Sequence, residues 1–307
     1  MRKNREHIWA RSFSLSAVGA SVLSSGVSPR HARVPRAMSN LIHADIALAR
    51  RLERAEASAN SRFVEARARV NPGVGAEWIE VAGTYAMFDG VWSPCTQTFG
   101  LGLFQMPTAA EMERIESFFR DRNATVMHEV CPLGDAALLG MLNERGYQPV
   151  ELSSVLFLPL SERVPGSQGS LRARVAGEGE RDLWARASAD GWREFTEVAS
   201  MVAGLALVIA STEGTSPFCV QLDGRMVATG ALAIRDGVAL FAGASTVPEY
   251  RRRGAQLALL VARFGYALAQ GCDLAMIVTA PGSASQRNAE RAGFRVAYTR
   301  VKWGLKA

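Results

Sequence analysis

Two stretches of the chain end in the same way. Residues 142–158, "LNERGYQPVELSSVLFL", and residues 288–303, "NAERAGFRVAYTRVKW", each read as a short helix, a Glu-Arg pair, a glycine followed by an aromatic, and a strand. The two glycines, Gly146 and Gly293, stand 147 residues apart. That is far beyond a solenoid period of about 20–50 residues, and it is the length of one ordinary domain. The repetition points to a duplicated domain, and a chain of 307 residues has room for two copies. With 48% apolar and 21% charged residues, both copies can bury a core.

The element order supports the duplication. Residues 41–70 place apolar and alanine positions three and four apart, which reads as a helix. "NPGVG" breaks it. "EWIEVAGTYAMF" and "TQTFGLGLF" read as strands. Thr108 followed by Glu111 marks a capping box, and the helix it opens buries Ile115, Phe118 and Phe119. A strand "ATVMHEVC", a short helix closing on Gly146, and a strand "PVELSSVLFLPL" complete the first half. Residues 161–170 read as a linker of Pro, Gly and Ser. The second half opens with a strand and the helix "EGERDLWARASA". Three strands follow, turned at Asp223-Gly224 and Asp236-Gly237. A helix, the strand "CDLAMIVTA", a short helix and a last strand close the chain. The expected divisions are a tail over 1–37, a degenerate copy over 38–160, a linker over 161–170 and a second copy over 171–307.

Charge and cysteine usage narrow the function. The formal net charge of +6 is carried by residues 1–37, where seven basic residues face Glu6 alone. From Met38 the chain is formally neutral, so no nucleic-acid partner is expected. The tail reads as a disordered extension or as sequence upstream of a start at Met38, with a targeting segment as the alternative. No run approaches the ~18 apolar residues of a membrane span. Val198–Ala210 is expected to be a buried helix, and no membrane partner is expected. Cys95, Cys131, Cys219 and Cys272 form no C-x-x-C, which removes zinc-ribbon spacing and any disulfide framework. A reduced, cytoplasmic chain without a metal is expected. In "MHEVC", strand alternation sends His128 and Cys131 to opposite faces, against a shared metal.

The corner between the strand "VALFAGAST" and the helix "AQLALLVARFGYALAQG" is "VPEYRRRG". In that helix Leu257, Leu260, Val261, Phe264 and Leu268 share one face. The first amides of a helix lack internal partners and carry the positive end of its dipole. Gly254 lets a ligand approach the backbone, and arginines add charge and bidentate phosphate geometry. Together these read as a diphosphate corner. A Walker loop needs Lys-Ser/Thr after its glycine, and a dinucleotide fingerprint needs three spaced glycines. Neither is present. The plainer reading is a solvated basic turn.

In these residues the chain resembles the GNAT N-acetyltransferases. "VPEYRRRGAQ" is similar to that family's acetyl-CoA motif, Arg/Gln-x-x-Gly-x-Gly/Ala, with Arg251, Gly254 and Gln256 on its defined positions. "AERAGF" is similar to the family's late helix, and the order of elements from Leu171 to Trp303 is the family's. The resemblance implies an α/β fold with a mixed α+β sheet, built as two tandem GNAT-like acyl-CoA N-acyltransferase domains. It implies acetyl-CoA as co-substrate. Backbone amides from Arg252 through Arg253, Gly254, Ala255 and Gln256 to Leu257 would hold the diphosphate. The strand at Gly243–Val247, with Thr246 and Val247, would pair with the pantetheine arm, and the amide near Val247 would polarise the thioester. Ser285 and Asn288 are further cofactor contacts, or else a helix N-cap and a solvent face.

The match departs from the family at three places. Gln256 stands where Gly or Ala is usual, and its side chain is expected to point away from the cofactor. Gly282 and Ala289 stand where the family carries an Asn and the Tyr that serves the thiolate as acid. Candidate bases are Glu249, Glu194 and Glu197, each with a solvated helix face as its alternative. Trp192 and Phe195 would wall the acceptor pocket. The expected activity is acetyl transfer from acetyl-CoA to an amine of a small molecule or peptide. The alternative is a non-catalytic acyl-CoA-binding, regulatory or structural protein.

Overall fold

The computed structural model describes residues 44–160 and 170–305. The tail, and all of the linker except Ser170, lie outside the described residues. Helix α1 (Ile46–Val70) starts at Asp45, whose carboxylate accepts from the Leu48 amide at 2.8 Å. The first half continues with β1 (Glu77–Val81), β2 (Thr84–Phe88), β3 (Gln97–Phe99), α2 (Ala109–Arg120), β4 (Met127–Val130), α3 (Ala137–Glu144) and β5 (Tyr147–Pro159). The second half has β6 (Ala173–Val175), α4 (Arg181–Asp190), α5 (Thr196–Ala210), β7 (Thr215–Leu222), β8 (Arg225–Arg235) and β9 (Val238–Thr246). It closes with α6 (Ala255–Ala269), β10 (Leu274–Thr279), α7 (Ala284–Arg291) and β11 (Arg295–Leu305).

The eleven strands of the described residues form one mixed sheet in the order β1-β2-β3-β4-β11-β5-β10-β9-β8-β7-β6. Exchange β1 to β5 for β7 to β11 and the order reads the same from either end, apart from the extra β6. Both halves run strand-strand-strand-helix-strand-helix-strand, and in both the third and fourth strands are parallel. The last strands have changed places. β11 lies between β4 and β5, and β5 lies between β10 and β11, so each half closes with the other half's final strand. β5 and β11 pair antiparallel from Arg295↔Phe157 to Leu305↔Tyr147. The two halves therefore share one sheet; they are not two sheets laid against each other.

The centre is covered on both faces. On β5, Leu156 turns to a core with Phe241, Leu259, Phe264 and Phe294, beneath α6 and α7. Its neighbours Val155 and Phe157 turn to α1, packing with Leu52, Leu240 and Met276. α1 also carries a buried ionic cluster across to the last strand. The Arg300 guanidinium, fully buried, donates to Glu56 at 2.6 Å and to Glu53 at 3.2 Å. Glu129 of β4 lies 3.5 Å from Arg300, and Lys302 bonds Glu151 at 2.9 Å. Tyr298 donates to Glu53 at 2.8 Å. Burial pushes the Glu53 carboxyl up to about 7 against the pull of Arg300. Burial also acts to raise Glu129, but Arg300 and Lys302 outweigh it and hold that carboxyl low.

Three local readings change. "EWIEVAGTYAMF" is a hairpin, with Ala82 and Gly83 both at positive φ in the turn. Only Gln97–Phe99 of "TQTFGLGLF" is strand; Gly100 and Gly102, at φ +77° and +67°, turn the chain away. On α6 the face against the sheet is Ala255, Ala258, Leu259, Phe264 and Ala267, while Leu257 is 44% exposed. This helix is apolar nearly all round, so spacing alone does not select a face. The alanines win because they let the helix approach the sheet closely.

Candidate functional site

The site is built where two parallel strands part. β9 and β10 pair only from Leu274↔Val238 to Met276↔Leu240. Beyond that β9 runs on to Thr246 along β8, and β10 runs on to Thr279 along β5. A bulge lies on the free stretch of β9, where the register against β8 shifts between Thr229 and Ala231. Gly243 sits in it at φ +59°, a conformation that favours glycine. Arg263 of α6, 2% exposed, donates to the Ala231 carbonyl at 3.1 Å and the Ala242 carbonyl at 3.4 Å, and so braces the bulge. With no carboxylate beside it, burial pushes Arg263 down to about 9.

Past β9 the chain turns through Pro248–Tyr250 into α6. Arg252 and Gly254 both lie at positive φ, +62° and +85°, and Gly254 is the N-cap of α6. No side chain caps α6, and its first turn holds no acid. A Cβ on Gly254 would meet nothing within 4 Å. The amides that open α6 are therefore approachable. Arg253 lies over the Tyr250 ring at 5.3 Å. Ala255 is buried and Leu257 exposed.

The matching corner of the first half is filled by its own side chains. β3 and β4 pair at Thr98↔His128 alone. His128 bonds Thr98 Oγ1 at 2.8 Å and packs on the Tyr147 ring, and burial pushes it down to about 3. Leu138 and Phe104 occupy the space beside Gly102 and Gly100. At the start of α2 the Glu111 carboxylate takes the Thr108 amide at 2.8 Å. That puts a protein anion where α6 leaves room for a ligand anion.

Several side chains meet at the end of β9. Arg251 donates to Glu194 at 2.5 Å, to the Gly191 carbonyl at 2.8 Å and to the Thr246 carbonyl at 3.3 Å. It thus fastens the α4–α5 turn to the strand. Arg193 of the same turn pairs with Glu249. Two of the three candidate bases, Glu194 and Glu249, are thus committed to ion pairs. Glu197 lies on α5, and its side chain is outside the described residues. The Val247 amide donates to the Val227 carbonyl at 3.0 Å, so it is not free to polarise a ligand. Strand alternation turns the Thr246 amide to the opposite edge, toward the parting. Gln256 does not point away: its Nε2 donates to Thr246 Oγ1 at 2.7 Å and to the Ser245 carbonyl at 3.2 Å. Ser285 and Asn288 are half-buried on α7, and the N-cap of that helix is Ser283.

Beside the bulge, between α4, α5 and β9, lies a cavity of about 20 Å³. Trp192 lines it. Phe195 does not, being 60% exposed. Sequence reasoning missed Ser188, Ser245 and Gly191. Ser245 Oγ donates to the Ser188 carbonyl at 2.8 Å, and a Cβ on Gly191 would fall 1.8 Å from that oxygen. It also missed Thr279, whose fully buried hydroxyl has no partner at the end of β10. Only the glycine in "DGW" hinted at such a close approach. Among the described residues no group of three His, Cys, Asp or Glu could hold a metal, and no helix is long and apolar enough to cross a membrane.

No family model and no curated protein matches the sequence. Solved structures do match the fold. A GCN5-related N-acetyltransferase from Kribbella flavida aligns over 85% of this chain and 96% of its own, at 20% identity and TM-score 0.59. A conserved protein of unknown function from Bacteroides thetaiotaomicron VPI-5482 aligns over 81% and 91%, at 11% identity and TM-score 0.53. A functionally unknown conserved protein from Staphylococcus epidermidis ATCC 12228 aligns over 76% and 94%, at 11% identity and TM-score 0.53. With its parted parallel strands and uncapped helix, the chain has the fold of the GCN5-related N-acetyltransferases.

Proposed function

We propose that residues 171–307 bind acetyl-CoA and transfer its acetyl group to an amine of a small molecule or peptide in the cytoplasm. The observation that carries this reading is the uncapped start of α6, with Arg252 and Gly254 at positive φ beside the parting of β9 and β10. The amides from Arg252 to Leu257 form a diphosphate cradle, with Arg252 and Arg253 adding charge. The free edge of β9 offers backbone groups to an extended pantetheine arm. The Thr246 amide is the donor placed to stabilise an oxyanion. Thr279, Ser285 and Asn288 add polar groups nearby. Residues 38–160 serve as a degenerate copy that contributes β5 as the neighbour of β10.

In the reaction the amine lone pair attacks the thioester carbonyl carbon. The C–N bond forms, the C–S bond breaks, and the amine proton ends on the thiolate or on solvent. The chain's main contribution is to hold the two reactants in line. Glu194, Glu249 and Glu197 remain the side chains to test as proton acceptors. The ion pairs of Glu194 and Glu249, and Ala289 standing buried where the family carries its acid, favour one other reading. In that reading the chain binds acyl-CoA without turning it over.

Calorimetry of the full chain with acetyl-CoA tests both readings, beside the Arg253→Glu/Gly254→Asp variant. Micromolar binding that the variant loses supports the cofactor site, and amine-dependent thiol release then separates enzyme from binding protein. A folded wild type that ignores acetyl-CoA refutes both.

A further inference from the structure

The bulge on β9 reverses which backbone groups face the parting. Below it, Val238 closes the two-residue Asp236-Gly237 turn with Arg235, so Val238 faces β8, and alternation turns Leu240 and Ala242 the same way. The odd residues face β10: the Gly237 carbonyl accepts from the Asp273 and Leu274 amides at 3.1 and 3.4 Å. Above the bulge the sense is opposite. The Val247 amide donates to the Val227 carbonyl of β8 at 3.0 Å, which leaves Thr246 to face the parting. The change happens between the pairs Ala231↔Ala242 and Thr229↔Ser245, where β9 holds one residue more than β8. In an unbroken ladder the Thr246 amide would be spent on β8.

A bulge leaves backbone groups short of ladder partners, and such groups are costly when buried. Here the buried Arg263 supplies the donors. Its Nη1 reaches the carbonyls of the pair that flanks the bulge, Ala231 at 3.1 Å and Ala242 at 3.4 Å. Its Nε is tied to the Leu259 carbonyl of its own helix at 3.2 Å, and its guanidinium lies over the Phe241 ring at 4.9 Å. Gly230, opposite the extra residue, makes room for it: a Cβ there would fall 3.1 Å from the Arg263 Cζ.

Resting on the acyl-transfer reading above, we infer that Arg263 is a positioning residue, which clamps the bulge so that the Thr246 amide and the β9 edge face the thioester end of the cofactor. It touches no reacting atom. It also lies far from the diphosphate cradle, nine residues along α6 from Gly254, a rise of about 14 Å. Its loss should therefore divide the cofactor. The pantetheine and thioester end loses its partner edge, while the nucleotide half, held by the first amides of α6, keeps its own.

The test compares the full chain with Arg263→Met, which keeps the bulk and removes the donors. Calorimetry measures acetyl-CoA and the nucleotide half of coenzyme A, 3′-phospho-ADP. Amide hydrogen exchange by NMR follows Val247, whose bond to Val227 lies just past the bulge. We expect Arg263→Met to weaken acetyl-CoA at least tenfold and the nucleotide half less than twofold. Val247 should lose at least tenfold of its protection relative to the amides of the β5–β10 ladder. Gly230→Ala, which crowds the guanidinium without removing it, should weaken acetyl-CoA about threefold and spare the nucleotide half; it carries the test if Arg263→Met does not fold. Unchanged acetyl-CoA affinity, an equal loss for both ligands, or full protection of Val247 in Arg263→Met overturns the inference. If the wild type binds neither ligand, the acyl-transfer reading falls, and Val247 exchange, which needs no ligand, still decides whether Arg263 holds the bulge.

Discussion

Loss of Arg300 should weaken the fold strongly. It is 0% exposed, and its three carboxylate partners, Glu53, Glu56 and Glu129, are each about 1% exposed. Replacing it with Met keeps the bulk and removes the charge. The pairs themselves need contribute little net stability, since desolvation offsets most of their attraction. The cost lies in what is left behind, three buried carboxylates that lose the guanidinium they share. Breaking a buried pair by removing one partner costs roughly 3–5 kcal/mol. At ~2–4 °C per kcal/mol for a chain of this size class, the melting temperature should fall by roughly 10 °C. The deficit also has a pH signature. Glu53 is already raised to about 7, so its own contribution is full below the ordinary carboxylate range and is lost as pH climbs through about 7. In Arg300→Met the carboxylates that lose its guanidinium are relieved by taking up protons. The gap to wild type should therefore be widest near pH 8 and narrow toward pH 5.5. Urea denaturation at both pH values measures it. Glu53→Gln, added to Arg300→Met, should recover at least about 1 kcal/mol because the two residues touch. A gap below about 1 kcal/mol at pH 8, or one that widens on acidification, refutes this account of the cluster.

Other expectations concern the end of β9. Gln256→Ala removes side-chain bonds to Thr246 and Ser245 and leaves the α6 amides in place. If those bonds close the mouth of the parting, acetyl-CoA should bind about fivefold tighter, the worth of one net hydrogen bond; weaker binding in calorimetry would show that Gln256 holds the site open. Gly243→Ala should cost roughly 1–2 kcal/mol in thermal unfolding from its positive φ alone, because the nearest atom to the new Cβ is a comfortable 3.7 Å away. Gly191→Ala should be harsher, since its Cβ lands on Ser245 Oγ; an unchanged melting temperature would show that the α4–α5 turn moves freely.

What the sequence made legible was whatever depends on neighbours along the chain. The Asp223-Gly224 and Asp236-Gly237 turns, the Thr108 cap and the uncapped corner at Gly254 are local chemistry, and they stand in the structure as the spacing implied. The shared ending at Gly146 and Gly293 revealed the repetition. It held no sign that the final strands trade places, because β5 and β11 are compatible with either neighbour and only the assembled sheet selects one. Residue type alone marks Glu194, Glu197 and Glu249 as candidate bases. Nothing near Glu194 in sequence shows that Arg251, 57 positions on, will claim it. For Gln256 the motif constrains only the backbone, so the sequence holds no sign of where its side chain turns. The structure turns it inward, where Thr246 and Ser245 offer a hydroxyl and a carbonyl.

The exchanged strands set a timetable for the chain. During synthesis the first half emerges complete in length but with an empty slot between β4 and β5. Only residues 295–305 fill that slot. Until they leave the ribosome two strand edges stay open, a standing invitation to pair with another chain. Closing a link of such sequence separation is slow. At high concentration the slot of one molecule can receive β11 from another, which would yield an interlocked dimer. An early stop codon or a bulky fusion close to the C-terminus should therefore damage the first half as severely as the second.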